Sequence, residues 1–192
     1  MNRVKFFDVI PHQPFDGAMS APQVAGVTVI LDAWDKWRPL SDPRFIAYSL
    51  ATAFHETART MRPIEEFSHG HGHPYGLPAG PWHQAYYGRG FVQTTWLANY
   101  EKATTRLRAL NIIGLDVDLA KTPALAMRPD IAAAIMIFGM VEGWFSGKRL
   151  ADYFNAKTED FIGARHIING TDKNTLIAGY ATAFRSAILR AA

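Results

Sequence analysis

At 192 residues the chain is long enough for one ordinary domain, spanning residues 1–192, with a proper core. Its 48% apolar and 19% charged residues exclude a disordered chain, and the lack of cysteine excludes a disulfide framework and a thiol nucleophile. The formal charge of +3 is mildly basic, but the Lys and Arg residues are scattered and no helix face carries a run of them, so nucleic acid is not an expected partner.

Met1 to Pro11 holds two basic residues and no apolar run of secretory length. The expectation is synthesis in the cytoplasm, with any work outside the cell needing an export route the chain does not encode. A first helix is expected from Ser20, with Pro22 in its first turn and Val24, Val27, Ile30, Leu31 and Trp34 at helical spacing. Asp42-Pro43 supplies an N-cap and a proline at the first helical position for a second helix, whose stripe is Ile46, Leu50, Ala53 and Thr57. Pro63 disfavours helical geometry at Arg62, which predicts a stop there.

From Pro63 to Gly90, glycines and prolines break the pattern, which reads as a long loop or small irregular lobe, and loops of that length are usually functional. Tyr86 to Gln93 allows a short extended piece. Helical signals return at Thr94–Leu110, Pro129–Phe145 and, more briefly, Thr158–Ile168. A last helix after Asp172 carries Leu176, Ile177, Tyr180, Phe184 and Ile188 on its apolar side. The apolar run Ile131 to Val141 is far short of the roughly 20 residues a bilayer needs, so it predicts a core helix and no membrane insertion. The class is mainly α.

Glu56 borders the buried stripe of the second helix. A carboxyl group at such an edge is partly desolvated, which disfavours its charge, and a general acid near neutral pH needs that shift. Position alone favours the plainer alternative, a flank glutamate facing water. An inverting glycosidase needs a second carboxylate about 6.5–9.5 Å away. Glu65 follows nine positions later, and on one continuous helix that is about 13.5 Å of rise, too far. The break at Pro63 lets the chain turn back so that Glu65 faces Glu56. Spacing does not exclude Glu66, though a solvated surface glutamate is its simpler reading. The segment Tyr86-Tyr87-Gly88-Arg89-Gly90-Phe91-Val92-Gln93-Thr94-Thr95-Trp96 joins glycines, which allow close backbone approach, to aromatic, amide and hydroxyl groups suited to sugars. A tight hairpin leading into a helix explains the glycines equally well.

His55-Glu56-Thr57, Glu65, the Tyr-Tyr-Gly-Arg-Gly-Phe-Val-Gln-Thr-Thr-Trp segment and Ile167-Ile168-Asn169-Gly170, in that order, resemble glycoside hydrolase family 19 over roughly Asp42 to Phe184. That family comprises chitinases and chitinase-like phage endolysins. The resemblance implies a lysozyme-like α-helical domain with a loop-rich or small β lobe flanking the active-site cleft, in the short-loop bacterial and phage form. It implies that Glu56 is the general acid, Glu65 the general base and Thr95 the hydroxyl that holds the attacking water. Tyr86, Gln93, Asn99 and Asn169 would contact the sugar chain. No cofactor or metal is implied. Arg89 is equally well a structural arginine pairing with a carboxylate or a helix end.

Three departures, Ala98, Ile177 and Thr171, stand where the chitinases often carry tyrosine, arginine and glycine, and they weigh against chitin as the substrate. The expected activity is that of a peptidoglycan hydrolase of the endolysin, lysozyme-like kind, with chitinase as the alternative. It would act as a monomer on the wall after passing a separate holin-type pore. The tract His69-Gly70-His71-Gly72-His73, with His83 nearby, lacks the spacing of recognised zinc sites and is read as a flexible rim loop. His55 is read as a buried structural histidine.

Overall fold

The computed structural model describes residues 1–192. Seven helices and one two-stranded antiparallel sheet follow in the order α1 (Arg3–Val9), α2 (Ala21–Trp37), α3 (Pro43–Glu56), β1 (Ile64–Glu65), β2 (Arg89–Gly90), α4 (Leu97–Ala109), α5 (Pro129–Glu142), α6 (Leu150–Tyr153) and α7 (Asn174–Arg190). Short 3₁₀ turns link them. The mainly α expectation holds, and the small lobe between α3 and α4 carries the sheet.

Local chemistry starts the helices where the sequence predicts. Ser20 and Gln23 form a reciprocal capping box on α2, and the Asp42 side chain accepts from the Arg44 backbone N–H at the head of α3. α5 is the axis of the body: every residue from Ile131 to Met140 is buried. No helix is long and apolar enough to cross a membrane. α3 lies along α7, with Phe54 meeting Tyr180 edge-on at 4.8 Å, and Trp37 of α2 meets Phe138 of α5 at 5.9 Å.

Four expectations are corrected. α3 ends at Glu56, six residues before the predicted stop. The Ala58 N–H bonds the His55 carbonyl and the Arg59 N–H bonds the Phe54 carbonyl, the paired bonds of a Schellman turn. Glycine usually marks such a turn, but here Ala58 takes the left-handed conformation at φ 49°, so the signal is invisible in sequence. α4 starts at Leu97 and not Thr94, because Thr94 is bridged to Arg89 and Trp96 has φ 68°. Thr158–Ile168 is not a helix; it holds a Phe154–Glu159 bridge and a 3₁₀ turn over Gly163–Ile167. Leu176 is 46% exposed, leaving Ile177, Ala181, Phe184 and Ile188 as the buried face of α7.

Candidate active site

The early end of α3 sets the site. Glu56 is the last helical residue, where the helix dipole opposes a negative charge. Arg165 offsets that. It comes from the 3₁₀ turn Gly163–Ile167, is 2% exposed, and donates from Nη1 to Glu56 Oε1 at 2.6 Å. Its Nε donates to the Asp172 carbonyl at 2.9 Å, which fixes the guanidinium in place. One oxygen of Glu56 is therefore held, and Oε2 has no donor from the protein. Neighbouring His55 is half-buried; burial pushes its titration down, opposed by the Glu56 charge.

Glu56 lines a pocket of about 380 Å³, together with Gln93, Thr95, Asn99 and Asn169. Five of the seven residues expected in the site thus meet in one wall. Gln93 donates from Nε2 to the Ile64 and Gly90 carbonyls, and Asn99 donates from Nδ2 to the Thr95 carbonyl. Their amide oxygens remain to accept from a ligand's hydroxyl or N–H groups. Gln93 and Trp96, both on this wall, carry positive φ, 51° and 68°, a conformation that residues other than glycine seldom adopt. Trp96 is 49% exposed and meets Tyr75 edge-on at 5.4 Å; with Phe145 these form the aromatic part of the lining.

Glu65 stands next to this wall and is not part of the lining: it follows Ile64, whose carbonyl Gln93 holds, and pairs across the sheet with Arg89. Glu65 Oε1 accepts from Arg89 Nε at 3.0 Å and from the Tyr87 hydroxyl at 3.1 Å. Burial works to raise its titration, but these hydrogen bonds and the charges of Arg89 and His69 outweigh it, so the carboxyl is held below its ordinary value and stays ionised. Arg89 is 6% exposed, lies 3.6 Å from the centroid of the Tyr87 ring, and donates further to the Ala85 carbonyl and the Tyr100 hydroxyl. Its structural reading is the one the geometry bears out.

Glu66 is neither the solvated glutamate expected nor an open carboxylate. Its Oε1 accepts from the Ser68 and Tyr75 hydroxyls and its Oε2 from the Gly88 N–H, so both oxygens brace the loop. Tyr86 does not reach the pocket. It is 1% exposed and donates its hydroxyl to the Ala120 carbonyl, a core anchor where a sugar contact was expected. The glycines of the motif serve the hairpin: Gly90 has φ 88°, and a Cβ there would press on the Ala126 carbonyl at 3.1 Å.

Arg165 is the residue that sequence reasoning passed over. Ile177, which stands where the chitinases often carry an arginine near the second carboxylate, is fully buried in α7. Its place beside His166, four residues before Asn169, does not by itself mark it as the partner of Glu56.

No protein-family model matches the chain, and no curated protein matches it. Solved structures do. Chitinase C from Streptomyces griseus superposes with a TM-score of 0.61 at 23% identity, covering 96% of this chain and 75% of that one. A bacterial family 19 chitinase gives a TM-score of 0.52 at 22% identity, covering 96% of this chain and 93% of that one. A class IV family 19 chitinase from Zea mays gives 0.52 at 20% identity, covering 97% and 90%. At these identities the likeness establishes the fold, which is that of the family 19 chitinases.

Proposed function

We propose that the chain is an inverting glycoside hydrolase that cuts β-1,4 bonds between amino sugars of bacterial peptidoglycan. The observation that carries this reading is the pair of half-held carboxyl groups. Glu56 and Glu65 each have Oε1 fixed by a buried arginine, and in each Oε2 accepts no hydrogen bond from the protein. Glu56 Oε2 delivers its proton to the glycosidic oxygen as the bond to the anomeric carbon breaks, and the departing sugar leaves with a hydroxyl. Water bonds to that carbon from the opposite face, and Glu65 Oε2 takes the water's proton. Arg165 stabilises the negative charge that appears on Glu56 as its proton leaves. Thr95 orients the water, and Gln93, Asn99 and Asn169 hold the sugars. The reaction needs no cofactor.

Chitin is the second reading, favoured by the three chitinases that share the fold. Peptidoglycan ranks first because Ala98, Ile177 and Thr171 depart from the chitinase pattern and because a basic chain suits an acidic wall. The setting that fits is a phage-type endolysin, monomeric, made in the host cytoplasm and reaching the wall through a separate holin-type pore. Incubation with purified peptidoglycan and with chitin oligomers, followed by mass spectrometry of new reducing ends, separates the readings. Soluble muropeptides are expected. Shorter chitin chains alone would move the substrate to chitin, and no cleavage of either would end the proposal.

A further inference from the structure

The histidine tract supplies neither the acid nor the base of this chemistry, and no three His, Asp or Glu side chains anywhere in the chain come together as a metal site requires. The imidazoles follow a different repeat. His69 stacks on Tyr87 with centroids 4.9 Å apart and planes 19° apart, and Tyr87 donates to Glu65. Four residues on, His73 stacks on Tyr75 at 4.9 Å and 7°, and Tyr75 donates to Glu66. Two consecutive carboxylates are each bound by a tyrosine, and each tyrosine is covered by an imidazole. His71, between them, is exposed and stacks on neither. The two arms differ in one respect. Both oxygens of Glu66 are taken, whereas Glu65 Oε2 has only His69, whose Nε2 lies 3.8 Å away.

We infer that His69 is a positioning residue for Glu65, leaving Oε2 free to activate water when neutral and occupying it as an ion pair when protonated. This rests on the proposed role of Glu65 as the base. With the imidazole neutral and flat on Tyr87, the phenol stays aimed at Oε1 and the other oxygen is open. With the imidazole protonated, its charge lies against both the Tyr87 ring face and the open oxygen, and that pair must break before Glu65 accepts a proton from water. The groups facing Glu65 are Arg89 and Tyr87 from the opposite side of the sheet and His69 from its own loop. Of these side-chain types, only imidazole ordinarily changes charge between about pH 5 and 8. His69 is 62% exposed, so the effect is small: an exposed pair supports about a two- to five-fold change.

The test compares rates on peptidoglycan at pH 5 and pH 7.5 for wild type, His69→Phe and His71→Phe. Phenylalanine keeps the ring on Tyr87 and removes the charge. The pH 5 rate, relative to pH 7.5, is expected to rise about two- to five-fold in H69F and to match wild type in H71F. An unchanged ratio in H69F, or the same rise in H71F, overturns the inference. A second measurement does not depend on activity. NMR titration of the histidine rings in the full chain is expected to show a lower His69 midpoint in Glu65→Gln, with His71 unmoved. If His69 is also unmoved, the pairing is absent. If it moves while the wild type itself cuts no glycan, the pairing stands and the proposed function fails.

Discussion

Glu56 and Glu65 are nine residues apart in sequence, yet they are held by opposite kinds of structure. Glu56 ends a 14-residue helix buried from Ala47 to Phe54, against α7 and the aromatic cluster of Phe15, Phe54 and Phe184. Glu65 belongs to a strand of two residues in a lobe with no long helix, kept in shape by Arg89, Tyr87, Tyr100 and the bracing bonds to Glu66. The first is fixed by apolar packing with one buried ion pair added; the second is fixed almost wholly by polar contacts. The division suits the roles proposed for them, an acid placed rigidly and a base whose surroundings respond to pH.

The largest effects are expected from removing the two arginines. Arg165→Met leaves the Glu56 carboxylate, 16% exposed, without its partner, and breaking so buried a pair costs about 3–5 kcal/mol. Arg89→Met removes bonds to a carboxylate that is 35% exposed and screened, costing about 1–3 kcal/mol. Urea unfolding is expected to rank R165M below R89M in stability. Hydrogen exchange is expected to confine the loosening in R89M to residues 64–90, and loosening spread evenly through α5 would contradict the separation of lobe and body. A smaller effect is expected at the end of α3. Ala58 sits in the left-handed region at φ 49°, which costs a non-glycine residue roughly 1–2 kcal/mol, so Ala58→Gly is expected to stabilise by up to about 1 kcal/mol. A lower melting temperature in A58G would contradict the assigned turn.

How much of this was readable depends on whether the chemistry was local. The starts of α2 and α3 were legible because Ser20, Gln23, Asp42 and Pro43 act on their own backbone. The α5 core was legible because its apolar run allows nothing else. The end of α3 was hidden because an alanine does glycine's work at residue 58, and the start of α4 because Thr94 spends its backbone on Arg89, five residues back. In the pocket, the ordered motifs pointed to Glu56, Gln93, Thr95, Asn99 and Asn169, which share one wall. The same motifs misplaced Tyr86, since a tyrosine in a sugar-rich pattern and one anchored to the Ala120 carbonyl read alike. Arg165 meets Glu56 across 109 positions, and local spacing carries no trace of such a contact.

Single displacement with Glu56 as acid fixes which anomer forms first. It is tested most directly by NMR of the anomeric proton of the new reducing end within the first turnovers on peptidoglycan, for wild type and Glu56→Gln. The β-linked substrate is expected to yield the α anomer first, and E56Q, still folded, to lose about 10²–10⁴-fold in rate. A first-formed β anomer, or an E56Q variant as fast as wild type, would contradict it.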